Sequence, residues 1–122
     1  MRNNKNDSNI NSFEEFKEEH FEEMDRLAKI LAKYKSDRIY YEHQRKPVRA
    51  MIAMEKKQAG VKAYNQQVLE AEADERYLQV LEAIKTSHRM ETETYYKLNN
   101  LQLRFEKWRT DSSNFRSAMN LR

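Results

Sequence analysis

Cysteine is absent from the 122-residue chain, and glycine and proline occur once each, as Gly60 and Pro47. Without cysteine there is no disulfide framework and no thiolate metal site, which fits a reducing, cytoplasmic setting. One glycine and one proline cannot supply the turns of a multi-stranded β protein, which needs such a signal roughly every 8 to 12 residues. The class that remains is all-α. No apolar run reaches the length of a membrane span, and no signal-peptide core is present. Glycine-rich phosphate loops and nucleophile elbows are missing too, so nothing in the chain specifies a catalytic reaction and no cofactor is expected.

What is present is charge and bulk. Charged residues make up 35% of the chain and hydrophobic residues 39%, with a formal net charge of +3. That balance suits long exposed helices better than a deep core. Seven tyrosines, five phenylalanines, six methionines and Trp108 still provide enough apolar area to offset the entropy of ordering.

Met1 to Asn11 holds five asparagines and little apolar content, the composition of a flexible tail. Ser12 and Glu15 have capping-box spacing and predict a helix start. The turns that follow carry seven carboxylates, from Glu14 to Asp25, against Lys17 alone. A helix dipole accounts for only the first turn of these. From Met24 a seam of alternating three and four spacings follows: Leu27, Leu31, Tyr34, Arg38, Tyr41, Arg45, Val48 and Ile52. Between Lys29 and Lys62 ten basic residues face only Asp37, Glu42 and Glu55. Arg38, Arg45, Arg49 and Lys56 fall within roughly a 40° arc, with Lys35 and Lys46 beside it. Pro47 predicts a kink or break in this helix, and Gly60 a chain reversal.

A second seam runs through Val61, Tyr64, Val68, Ala71, Leu78, Leu81, Ile84 and His88. It resumes at Tyr95, Leu98, Leu101, Phe105 and Trp108. Between them Glu70, Glu72, Asp74 and Glu75 form an acidic cluster that an antiparallel arrangement would lay beside the basic stretch. The run TDSSN, Thr110 to Asn114, favours caps over helix interior and predicts a short final helix. The chain's end, with Arg104, Lys107, Arg109, Arg116 and Arg122, is basic again.

The expected fold is therefore all-α: an elongated antiparallel helical hairpin or coiled coil with a short C-terminal helix, and oligomeric because so narrow a core leaves apolar seam exposed. The expected organisation is a tail over 1–11 and one helical domain over 12–122. Its helices span about 12–58, about 61–109 and about 112–120.

None of the three histidines has a glutamate three residues before it, the spacing of a helical-bundle metal site, so no metal is expected. Single-stranded nucleic acid is the expected partner, because cations that neutralise phosphates together and nearby aromatics are its requirements. The candidate phosphate contacts are Lys35, Arg38, Arg45, Lys46, Arg49, Lys56 and Lys57; Tyr40 and Tyr41 are the candidate stacking rings. A competing use of the same residues is structural, with the arginines paired to Glu70–Glu75 and the tyrosines in the core. Acidic clusters on both sides of the basic stretch argue against a membrane surface. A partner protein held by helix packing is the alternative to nucleic acid.

The stretches KYKSDRIYYEHQRK and EKKQAGVKAY, the acidic link EAEADERYLQVL and the run FEKWRTDSSNFRSAM together resemble the arrangement of small helical bacteriophage recombination proteins of the T4 mediator type. The resemblance implies a helical oligomer that binds single-stranded DNA and helps to load a recombinase in the host cytoplasm. Two features depart from that pattern: the proline within the basic helix and the lack of a glycine-rich turn between the halves.

Overall fold

The computed structural model describes residues 16–120, which form three helices, α1 Glu18–Gln58, α2 Tyr64–Ala73 and α3 Glu75–Asn120, and no strand. The fold is all-α. The tail over 1–11, the capping box at Ser12–Glu15 and the terminal Arg122 lie outside the described residues. Helix α1 begins at Glu18 rather than Ser12. There His20 stands in for the capping-box glutamate: its Nδ1 accepts the Lys17 N–H at 3.0 Å while its own N–H donates to the Lys17 carbonyl.

Contacts divide the chain into two compact units. One comprises Lys29–Thr94, and the other the residues through Ala28 with those from Tyr95 onward. Both α1 and α3 contribute to each.

In the first unit the core is small. Ile52 and Ala71 are fully buried and Tyr77 nearly so, with Val48 and Ala53 packed against them. Complete burial of an isoleucine side chain stabilises by about 1.5–3 kcal/mol, so Ile52 is the chief apolar anchor tying α1 to α2 and α3. Pairing in this unit is antiparallel: Arg38 of α1 meets Glu91 of α3, and Glu55 meets Arg76.

The second unit is held by aromatic rings. Phe16, buried beside the start of α1, meets Phe105 edge-on at 5.5 Å and Trp108 at 6.1 Å, while Phe21 meets Phe105 at 5.3 Å. Leu27 is buried in the same unit.

Pro47 does not break α1, which is helical from Glu18 to Gln58. The proline is exposed, so the carbonyl that loses its donor is left on the solvent side, where water can satisfy it. The expected boundary at Thr110–Asn114 is also absent, and α3 continues to Asn120. Poor helix propensity costs only tenths of a kcal/mol per residue, and Lys107 grips Asp111 one turn on at 2.6 Å. The boundary falls instead at Asp74, which had read as one more member of an acidic cluster. Asp74 ends α2 in an extended conformation (ψ 141°), and its Oδ1 accepts the Arg76 N–H at 2.8 Å. It thereby caps the start of α3.

The inward face of α3 differs by a step from the apolar reading. Buried or half-buried positions of α3 in the first unit are Tyr77, Val80, Ala83, Ile84, Ser87, Met90, Glu91 and Thr94, whereas Leu78, Leu81 and His88 are exposed. In the second unit Leu98, Leu101, Phe105 and Trp108 face inward as expected, and Tyr95 is exposed. Tyr64, expected in the seam, is 72% exposed. The three-four spacing holds, but Ser87, Glu91 and Thr94 occupy it, so the apolar residues next to them mislead.

Gly60 makes the reversal. Its φ is +107°, its N–H donates to the Lys57 carbonyl at 3.1 Å, and the Val61 N–H donates to the Lys56 carbonyl at 3.0 Å. These are the two bonds of a Schellman cap. No atom lies within 4 Å of where a Cβ would stand, so the penalty for any other residue is backbone strain alone. Gly60→Ala should lower stability by about 1–2 kcal/mol and Gly60→Asn by less. Equilibrium urea denaturation checks this, and an unchanged midpoint for the alanine variant would contradict it.

Candidate nucleic-acid interface

The cations of α1 divide into two sets according to the side of the helix they occupy. Arg38, Arg49 and Lys56 share an arc with the core residues, and all three are half-buried. Lys35, Lys46 and Lys57 are spaced by eleven residues, three full turns, so they stand in one line about 17 Å apart on the other side. All three are exposed, as is Arg45.

On the inward arc Arg38 and Arg49 have intramolecular carboxylates. Arg38 donates from Nε and Nη2 to the two oxygens of Glu91, and from Nη1 to Glu42 at 3.0 Å. Its side chain is 21% exposed and that of Glu91 19%. Hydrogen bonding by Arg38 outweighs desolvation and holds the Glu91 carboxyl below its ordinary pKa. Arg49 donates to Glu72 at 3.0 Å, the use of the acidic cluster that a structural reading anticipates. Glu55 on the same helix receives a bidentate Arg76 at 2.8 and 3.1 Å. Arg76 also bonds Asp74, whose pKa is lowered to about 2, first by that side-chain bond and then by the Arg76 backbone N–H. Lys56 lies in the field of Glu55 and Asp74 and helps to lower both.

Four exposed cations make no ion pair, the three lysines of the outward line and Arg45, which stands on the inward arc. No carboxylate among the described residues pairs with Lys35, Arg45, Lys46 or Lys57. Of the seven cations expected to meet phosphate, Lys56 also makes no ion pair, and Lys35 lies in the field of Glu91 as Lys56 lies in that of Glu55 and Asp74.

The candidate stacking rings are not beside them. Tyr40 and Tyr41 meet edge-on at 5.4 Å, but helical geometry turns both more than about 100° from the lysine line. Tyr41 lines a different groove of about 400 Å³ with Tyr34, Asp37, Glu82, Ser87 and Met90. The ring that does reach the cations is Tyr64 of α2. It lines a groove of about 360 Å³ with Lys46, Arg49, Met54, Lys57 and Gln67. Sequence reasoning assigned Tyr64 to the seam. Its true direction depends on the link after Gly60, which Gln67 fixes by donating from Nε2 to the Val61 carbonyl at 2.7 Å.

A smaller basic patch, Arg109, Ser113, Asn114 and Arg116, lies along α3 in the other unit. Among the described residues no three histidine, aspartate or glutamate side chains come together as a metal-ligand set, and no helix is long and apolar enough to cross a membrane. Comparison with protein-family models, curated proteins and solved structures returned no match to this chain.

Because the Arg38–Glu91 pair is four-fifths removed from solvent, deleting Arg38 strands the Glu91 carboxylate, deleting Glu91 leaves Arg38 with Glu42 alone, and deleting both strands neither. Arg38→Met should lower the unfolding temperature, and Glu91→Met should lower it by less. The double variant should recover most of that loss. A double-mutant cycle measured by thermal unfolding checks this, and strictly additive losses would contradict it.

Proposed function

We propose that this chain is a noncatalytic accessory protein of DNA recombination or replication that binds single-stranded nucleic acid along the outward face of α1. One observation carries the reading: Lys35, Lys46 and Lys57 form an exposed line in which no lysine makes an ion pair among the described residues, while Arg38 and Arg49 are paired within the fold. Cations that a protein keeps unpaired and aligned are suited to an extended polyanion, which gains affinity by releasing counterions. The place in recombination or replication rests on the resemblance described above.

Self-association is part of this proposal. Tyr95, Tyr96 and Leu103 of α3 are each more than half exposed, and apolar surface of this kind is more often covered in assemblies than left in water. The same three residues favour the rival reading, in which α3 packs on a partner protein and no nucleic acid takes part.

Fluorescence anisotropy with a labelled single-stranded oligonucleotide discriminates the two. Binding should weaken as salt rises from about 50 to 200 mM. The Lys46→Glu/Lys57→Glu variant should bind at least tenfold more weakly while unfolding at the wild-type temperature, since both side chains are exposed and unpaired. Absence of wild-type binding at the lower salt would overturn the proposal in favour of the protein partner.

A further inference from the structure

The groove between α1 and α2 has a chemistry that the lysine line alone does not explain. Its walls carry Lys46 and Lys57, which make no ion pair, Arg49, whose guanidinium Glu72 already meets, and no carboxylate, a balance that favours an anion. Its rim carries Tyr64, 72% exposed, and Met54, 54% exposed, a flat ring and a polarisable thioether with no protein side chain over them. An anion alone needs neither. Those surfaces suit a planar, weakly polar group attached to the anion.

Gln67 is part of the wall. It is buried, its Nε2 is engaged by the Val61 carbonyl, and no buried side-chain polar atom among the described residues lacks a partner. The volume of about 360 Å³ lies at the small end of ligand pockets, a size for one nucleotide unit and not for a helix. The walls are also held in place. Ile52 and Ala71 lock α1 to α2, the Gly60 cap fixes the reversal, and Gln67 pins the link.

We propose that this groove is a base pocket: it takes one unpaired base against Tyr64, with the strand's phosphates on Lys46 and Lys57. In a duplex each base is stacked and paired, so its faces are closed to Tyr64, and the pocket makes the protein prefer single strands. The inference rests on the nucleic-acid reading given above and assigns the strand preference to Tyr64.

Anisotropy titrations with a single-stranded oligonucleotide and with its duplex, for wild type, Tyr64→Ala and Tyr64→Phe, test it. The wild type should bind the single strand at least tenfold more tightly than the duplex. Tyr64→Ala should bind the single strand fivefold or more weakly with its duplex affinity unchanged, and Tyr64→Phe, which keeps the ring, should match the wild type. Tyr64 is exposed, so circular dichroism of the alanine variant should be that of the wild type. If the wild type binds the single strand and Tyr64→Ala retains the same preference, the base pocket is overturned and the nucleic-acid reading survives. If the wild type binds neither strand at low salt, both fall.

Discussion

Arg38 stands in the seam of α1 at a position where an aliphatic side chain would bury without cost, and its guanidinium must be met by a carboxylate or lose its hydration unpaired. Glu91 of α3 meets it, and the same device recurs along the first unit, with Arg49 against Glu72 and Arg76 against Glu55. Each pair contributes little net free energy, since desolvation offsets most of the attraction. What the pairs do is fix alignment. A slide of α3 by one turn would leave Glu91 uncompensated and Arg38 with Glu42 alone, so a seam with few large apolar residues still has one register.

That constraint also decides what the surface offers. Glutamates turned toward α1 pair with Arg38 and Arg49 and leave the outward line alone, so the exposed charge of α1 is a residue of how the helices are tied together. The core itself is small, with Ile52 the one large, fully buried side chain among the described residues. Stability is therefore distributed over the Gly60 cap, the Asp74 cap and the aromatic contacts of Phe16, Phe105 and Trp108, with the ion pairs fixing register. A fold built this way tolerates exposed side chains such as Tyr64 and Met54 beside its reversal, because no core residue depends on them.

The helical class was legible in composition, and the reversal in Gly60, because each rests on local chemistry that any helix must obey. The inward face of α1 was legible for the same reason: from Leu27 to Ile52 its seam positions are buried or half-buried except Arg45. The inward face of α3 was not. Ser87, Glu91 and Thr94 hold seam positions, and hydropathy reads them as solvent-facing, so Leu78, Leu81 and Tyr95 drew the face one step away. The boundary at Asp74 was hidden among four acidic residues, and only its bond to the Arg76 N–H separates it from them. For the candidate site, the segment was legible but the division within it was not. Arg38 and Arg49 have carboxylate partners distant in sequence, Glu91 and Glu72, which no local pattern links to them. Tyr64 was overlooked because its direction depends on a three-residue link.

The salt dependence of single-strand binding tests the division of cations most directly, because the slope of log K against log salt counts the phosphates neutralised. With four exposed, unpaired cations per bound protomer, Lys35, Arg45, Lys46 and Lys57, the slope should be about −3, at roughly 0.7 per phosphate contact. A slope near −5, the value for all seven cations of the basic stretch, would show that Arg38, Arg49 and Lys56 also reach the strand, and would contradict the account.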